Sequence, residues 1–189
     1  MSRLQAGALA LAIQPIDVAD VISTAVTSLG PAADEVIIRV PEETPEMQAD
    51  PALLEGAVAN LVQNALRFSS PGTPPQIMAG AYGAAVEIRV IGRGQGEPET
   101  DWDQIFQPSQ RLGDRDNPSG VGLGLALSRG LVEAISGTPS PEETPGGSLT
   151  ITISLPAAAE PNRHADSVEP HRHRASSTAS RAETASERP

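Results

Sequence analysis

The stretch from Leu149 to Leu155 alternates strictly between apolar and polar side chains and reads Leu-Thr-Ile-Thr-Ile-Ser-Leu. Because successive side chains of a β-strand point to opposite faces of the sheet, this stretch predicts a strand with one apolar and one polar face. Residues 76–81 and 85–91 predict a hairpin that turns near Tyr82-Gly83. These strands predict an antiparallel sheet that needs an apolar layer on only one of its faces.

Helical segments that can supply this layer are visible along the chain. Residues 19–29 have apolar side chains at helical spacing and end at Gly30-Pro31. Asp50-Pro51 is a favourable helix start, because Asp is a good N-cap and Pro suits the first helical position. A glycine-rich stretch leads into a further helix within residues 120–136, and residues 35–40 form a short β-branched run. We therefore expect an α+β fold with helices on one face of the sheet.

Charge and composition exclude several classes of partner. The formal net charge is −11, and all thirteen basic residues are arginine. We expect no nucleic-acid partner, because binding to nucleic acid irrespective of sequence needs clustered basic residues. Cysteine is absent, which excludes disulfides and thiolate metal sites. No apolar run approaches the roughly 18 residues that a membrane helix needs, so we expect no membrane insertion by this chain and a cytoplasmic location.

Residues 157–189 differ in composition from the rest of the chain and contain almost no large apolar side chain. Ordering such a segment costs more conformational entropy than its burial repays, so it is predicted to be a disordered tail. All three histidines, His164, His171 and His173, lie in it. They either bind a metal weakly or are solvated, and they leave no histidine for catalysis in the folded region.

Three polar residues share one side of the helix that begins at Pro51. Asn60, Asn64 and Arg67 stand at positions i, i+4 and i+7, which places them in one stripe beside the apolar face. Carboxamide oxygens are ligands for hard cations such as Mg²⁺, and a guanidinium group suits phosphate oxygens. Taken alone, the stripe also fits an ordinary solvent-exposed helix face.

Two groups of alternating glycines predict close approach of the backbone to a ligand. Gly92, Gly94 and Gly96 follow the strand 85–91, and Gly120, Gly122 and Gly124 precede a helix. Backbone N–H groups at such a helix N-terminus favour a phosphate group. A tight loop that only packs well is the alternative for either group. Residues 105–111 and the polar stretch 113–120 lie between them and predict a lid.

Four motifs in this order resemble the N, G1, F and G2 boxes of the catalytic, ATP-binding domain of sensor histidine kinases. They read N-L-V-Q-N-A-L-R-F-S (60–69), G-R-G-Q-G (92–96), I-F-Q-P (105–108) and G-V-G-L-G-L-A-L-S-R-G-L-V-E (120–133). The resemblance covers roughly residues 2–156 and is nearest to kinases of the KdpD type. It implies a two-layer α/β sandwich of the histidine-kinase ATPase (GHKL) type, with a mixed, mostly antiparallel sheet.

The same resemblance implies ATP and Mg²⁺ as ligands and assigns roles to matching residues. Asn60 and Asn64 would face the Mg²⁺ ion and the phosphates, Arg67 would contact phosphate, and Phe68 would take the aromatic position beside it. The other implied nucleotide-binding residues are Gly92, Gly94, Gly96, Phe106, Gly120, Gly122, Leu123 and Gly124. No residue of this domain would take part covalently, since the family positions the γ-phosphate for attack by a histidine elsewhere.

Gly92 departs from the family pattern D-x-G-x-G, in which the Asp accepts a hydrogen bond from the adenine amino group. Losing that charge-assisted bond costs roughly 1.5–3 kcal/mol of binding free energy. Ser109 stands where a second aromatic residue is usual, and Pro139 and Pro141 weaken the strand expected after the last helix. These departures indicate a partly degenerate site.

The resemblance also implies that the chain consists of three segments. Residues 1–15 would be a remnant of the second dimerisation helix, 16–156 the ATP-binding domain and 157–189 the tail. We expect a truncated kinase domain without sensor or phosphoacceptor histidine, inactive alone or active in trans on a dimerisation domain or another kinase chain, with a response regulator as further partner. The alternative is a nucleotide-free remnant that binds a kinase or response regulator. A serine kinase of the anti-sigma-factor type fits the N and G2 boxes less well.

Overall fold

The computed structural model describes residues 10–94, 99–107, 124–144 and 148–159. Up to Ala158 these residues belong to one compact unit. Its strands and helices are β1 (Gln14–Ile16), α1 (Val18–Ser28), β2 (Ile37–Arg39), β3 (Met47–Ala49), α2 (Pro51–Phe68), β4 (Gln76–Tyr82), β5 (Ala85–Ile91), α3 (Trp102–Ile105), α4 (Gly124–Ala134), β6 (Thr138–Thr144) and β7 (Ser148–Pro156).

Five of the strands form one mixed sheet in the order β2-β4-β5-β7-β6. β2 runs parallel to β4, and every other neighbouring pair in this sheet is antiparallel. The predicted hairpin is confirmed as β4 and β5, with Gly83 at a φ of 60° in the turn, a conformation that glycine adopts without strain. β1 and β3 form a separate two-stranded sheet that the sequence patterns did not predict.

The helices cover the apolar face of the sheet. Ile77, Ile88 and Ile153 point from three neighbouring strands into the core and are fully buried. α2 lies against β5 and is flanked by α1 and α4. The predicted α+β sandwich, with a mostly antiparallel sheet and helices on one face, is confirmed. Within the described residues, no helix is long and apolar enough to cross a membrane.

The α2 helix begins where Asp50-Pro51 predicts. The Asp50 Oδ1 atom accepts a hydrogen bond from the Leu53 N–H at 3.2 Å, and Oδ2 accepts one from the Ala12 N–H at 2.8 Å. These bonds, with that from Ala12 the stronger influence, lower the pKa of Asp50 below its ordinary value of 3.8. One carboxylate therefore caps the helix and ties it to the segment before β1. The stabilisation from these hydrogen bonds is fully present above pH 3.8, and it is lost as the pH falls through the lowered pKa of Asp50 and the carboxylate is protonated.

The strand after the last helix forms despite its prolines. Pro139 and Pro141 lie in β6, which pairs only with β7 and forms one edge of the sheet. The two prolines are two residues apart, so their ring nitrogens fall on the same side of the strand. An edge strand tolerates proline where the missing N–H faces away from the ladder. The strand expected after the last helix is therefore present as β6, with both prolines in it.

The two predicted end segments, residues 1–15 and 157–189, lie largely outside the described residues. Residues 1–9, which make up most of the expected dimerisation-helix remnant, are not described, and Gln14 and Pro15 belong to β1. Of the expected tail, only residues 157–159 are described. The division of the chain at residues 15 and 156 stays a prediction.

Candidate nucleotide-binding site

Four residues of α2 form a row that reaches from the contact with α4 to the loop after β5. Gly56, Asn60, Asn64 and Phe68 are spaced four apart and so share one side of the helix. At the start of the row, Gly56 leaves room for the Leu131 side chain of α4, whose Cδ1 atom lies 3.4 Å from the ideal Cβ position of Gly56. Both asparagines are half-buried. Asn60 and Asn64 of the predicted stripe thus lie on a helix face beside α4, and Arg67 is exposed near the end of the same helix.

The end of this row meets the loop that follows β5. A Cβ atom at Gly94 would overlap the carbonyl oxygen of Phe68, so only glycine fits there. The Arg93 N–H donates to Ser69 Oγ at 2.9 Å, and the Ser70 N–H donates to the Arg93 carbonyl at 3.2 Å. The loop that carries Gly94 is therefore fastened to the residues just after α2, which gives Gly94 a packing role besides the ligand role expected for it.

Gly92 lies where β5 leaves its partner β7. Its N–H donates to the Leu149 carbonyl at 2.9 Å. An ideal Cβ atom on Gly92 would lie 3.1 Å from that carbonyl oxygen and 3.5 Å from Ser148 Oγ. Ser148 is 8% exposed, and its hydroxyl has no hydrogen-bond partner in the described part of the chain. A Cβ atom at position 92 would thus be crowded by the Leu149 carbonyl, with the buried Ser148 hydroxyl beside it.

α4 closes the site on its other side. Ser128 is buried and its hydroxyl lies 3.3 Å from the Ala57 carbonyl of α2, which ties the two helices together. Phe106 is 7% exposed and has the Arg129 guanidinium 5.5 Å from its ring centroid. The aromatic residue expected to anchor a lid is therefore packed against α4, at the near end of the predicted lid.

Other predicted site residues fall into two groups. Arg67 and Phe68 are exposed at the C-terminal end of α2, with the guanidinium 5.4 Å from the Phe68 ring centroid. Gly124 is the first residue of α4. The remaining predicted site residues, Gly96, Gly120, Gly122 and Leu123, lie outside the described residues, as does Ser109, where the family has a second aromatic residue.

Ser148, which lies beside Gly92, was missed by the sequence analysis. The only signal in the sequence is a small polar residue that follows Gly146-Gly147 at the start of an alternating strand. Its position beside Gly92 depends on the pairing of β5 with β7, in which Ile91 lies opposite Thr150. A contact between residues so far apart in sequence cannot be read from local patterns.

Two features of the described residues suit a polar ligand. A buried polar atom without a partner costs free energy unless a ligand or water satisfies it, and Ser148 Oγ is such an atom. Asn60 and Asn64 carry neutral carboxamide oxygens of the kind that Mg²⁺ accepts as ligands. Among the described residues, no cluster of three acidic or histidine residues could hold a metal.

Comparison with known proteins supports this assignment. Residues 49–159 match the family described as histidine kinase-, DNA gyrase B- and HSP90-like ATPases. The chain is 42% identical to the sensor protein KdpD of Rathayibacter rathayi over 88% of this chain and 19% of KdpD. It is 32% identical to the sensor-like histidine kinase SenX3 of Mycolicibacterium smegmatis over 92% of this chain and 47% of SenX3. The chain thus spans less than half of either relative.

Solved structures show the same architecture. The catalytic domain of histidine kinase ThkA superposes with a TM-score of 0.66 at 19% identity, over 77% of this chain and 95% of that domain. The ATP binding domain of PrrB from Mycobacterium tuberculosis superposes with a TM-score of 0.62 at 27% identity, over 78% of this chain and 99% of that domain. The chain therefore belongs to the family of histidine kinase-, DNA gyrase B- and HSP90-like ATPases, as a catalytic domain of the histidine kinase type.

Proposed function

We propose that this chain binds Mg-ATP between α2, the end of β5 and α4, and serves as the catalytic domain of a two-component sensor histidine kinase. The observation that carries the proposal is the row on α2. Its half-buried carboxamides, Asn60 and Asn64, lie between a helix that packs on Gly56 and a loop that packs on the Phe68 carbonyl. Two half-buried carboxamides on one helix face suit a metal–phosphate ligand better than a packed core.

The proposed roles follow from the chemistry of each group. The carboxamide oxygens of Asn60 and Asn64 would hold Mg²⁺, which neutralises charge on the phosphates when bound. Arg67, exposed at the end of the same helix, would contact a phosphate oxygen. The backbone N–H groups at Gly120, Gly122 and Gly124 would hold the phosphate chain. These groups bind and orient the γ-phosphate without forming a covalent bond to it.

We propose the partners of this chain from the similarity to named kinases. The relative PrrB is named as an ATP binding domain, and the KdpD and SenX3 relatives are named as sensor proteins or histidine kinases. We propose that the γ-phosphate goes to a histidine on a dimerisation domain, in the same protein or in another chain, and that a response regulator receives it afterwards.

Gly92 favours a second candidate function. Without a carboxylate at this position, the domain would bind ATP weakly or not at all and would act as a protein-binding module for a kinase or a response regulator. The two functions make opposite predictions for nucleotide binding.

Calorimetric titration of Mg-ATP into the whole chain separates these functions. We expect binding that requires Mg²⁺, and we expect Asn64→Ala to weaken it about tenfold or more, because removing a metal ligand also disturbs the phosphates that the metal orients. Gln63→Ala is the matched control, since Gln63 is an exposed carboxamide one residue away on α2, and it should leave the affinity unchanged. No binding at millimolar Mg-ATP would reject the first function and leave the binding module.

A further inference from the structure

The strand β2 lies at one edge of the five-stranded sheet and pairs only with β4 among the described strands. The Ile37 N–H donates to the Pro75 carbonyl at 3.1 Å, so the backbone polar groups of Ile37 face β4. Because these groups alternate in direction along a strand, the N–H and carbonyl of Ile38 face away from the sheet. β2 therefore presents a backbone donor and a backbone acceptor at its outer side.

The side chains of β2 are exposed on both faces of the sheet. Ile38 lies opposite Ile77, which is fully buried in the core, and Ile37 lies opposite Gln76 on the other face. Ile37 and Ile38 are nevertheless 41% and 43% exposed. A single exposed apolar residue is ordinary, but two consecutive ones on an edge strand leave apolar surface on each face. A further strand that continued the sheet would cover both isoleucines.

The opposite edge of the sheet, β6, is closed to a further strand. The Leu149 carbonyl accepts a hydrogen bond from Gly92, so the odd-numbered residues of β7 face β5. Pro139 and Pro141 lie opposite odd-numbered residues of β7 and therefore face outward, where an added strand would need N–H donors. Proline at an edge is a means of preventing strand addition, and β2 contains none. Of these two edges, only β2 can accept a strand.

The charges around β2 select the kind of strand. Asp34 and Glu35 are exposed before it, and Glu42 and Glu43 are exposed after it. Two copies of β2 paired antiparallel about Ile38 would bring Asp34 of one copy near Glu42 of the other, and this repulsion opposes self-association. The net charge of −11 opposes it further. A strand with basic residues at both ends would instead meet carboxylates at both ends.

We propose that β2 is a docking edge for an extended peptide segment of another protein, with consecutive β-branched residues at its centre and basic residues at both ends. The segment would add one strand to the sheet, with its backbone bonded to Ile38 and its apolar side chains packed against Ile37 and Ile38. In this mode of recognition, main-chain hydrogen bonds give affinity and side chains give specificity. The inference is independent of nucleotide binding, since it uses no residue of the row on α2.

Fluorescence anisotropy of a labelled peptide, Arg-Arg-Val-Ile-Val-Arg-Arg, titrated with the whole chain tests this inference. We expect saturable binding with a dissociation constant of about 100 μM or lower. A peptide with glutamate in place of each arginine should bind about tenfold more weakly or worse. Glu43→Arg should weaken binding of the basic peptide about fivefold or more. Glu143→Arg, the same change at an exposed position of the opposite edge strand, should leave the affinity unchanged.

Two further measurements report on the backbone of β2. Ile38→Pro removes the outward N–H and leaves the bond from Ile37 to Pro75, so it should weaken peptide binding about tenfold or more. Amide hydrogen exchange of the unaltered chain needs no substitution. Saturation with the peptide should slow exchange of the Ile38 amide about tenfold or more, while the Ile37 amide, already bonded to Pro75, should not change.

Three results would overturn the inference. The first is an absence of binding at about 1 mM. The second is binding that neither slows exchange of the Ile38 amide nor weakens in Ile38→Pro, because the basic peptide would then adsorb to the acidic surface without adding a strand. The third is a dimer in sedimentation equilibrium that Ile38→Pro converts to a monomer, because a second copy of the chain would then occupy the edge.

Discussion

Gly94→Ala is expected to destabilise the protein by on the order of 3 kcal/mol, at the upper end of the range for overpacking. The added Cβ atom would overlap the Phe68 carbonyl oxygen, and the obstacle is backbone rather than the end of a flexible side chain. Relief requires moving the loop after β5 away from α2. That movement would break the hydrogen bonds that join Arg93 to Ser69 and Ser70. Urea unfolding of the purified chain measures the loss as a lower midpoint.

Gly80→Ala is the matched control for this change. Gly80 lies inside β4, and among the described residues no heavy atom beyond its chain neighbours lies within 4 Å of its ideal Cβ position. We expect its substitution to change the free energy of unfolding by about 0.5 kcal/mol or less. Equal midpoints for the two variants would contradict the close approach of the loop to α2.

Phe106→Ala is expected to cost about 3 kcal/mol of unfolding free energy, because the ring is buried and a cavity remains when it is removed. Phe106 is 7% exposed and belongs to the core cluster. The change also removes the cation–π contact with Arg129, which contributes about 0.5–1 kcal/mol near a surface. Thermal or urea unfolding measures the loss.

Phe68→Ala serves as the control for that prediction. Phe68 is also an aromatic residue beside an arginine, with Arg67 at 5.4 Å, but it is 54% exposed. Removing an exposed ring leaves no cavity, so we expect the unfolding free energy to change by less than about 1 kcal/mol. A loss for Phe106→Ala no greater than that for Phe68→Ala would contradict the packing of Phe106 against α4.

Much of the fold could be predicted from the sequence, because its main elements have strong local signals. Asp50-Pro51 marks the first residue of α2, and the alternation in residues 149–155 marks β7 to within one residue at each end. β1 and β3 were missed, since strands of three residues have no measurable period. The edge position that makes Pro139 tolerable is also invisible locally, because it depends on which strands pair.

The candidate site, like the fold, could be predicted only in part. The helical period alone brings Asn60 and Asn64 onto one face, and the structure confirms that face. The close approach of Gly94 to Phe68 and the position of Ser148 beside Gly92 were not predicted. Both contacts join segments from different elements, so they follow from packing and strand pairing rather than from spacing along the chain.

Two-dimensional NMR of the isotope-labelled chain during a Mg-ATP titration tests the central claim most directly. The proposed site predicts saturable shifts of the side-chain amides of Asn60 and Asn64 and of the backbone amides of Gly92 and Gly94. The backbone amide of Ile38, in the strand at one edge of the sheet, should not move. Shifts confined to residues away from α2 and the end of β5, or no shifts at millimolar Mg-ATP, would contradict the nucleotide-binding site.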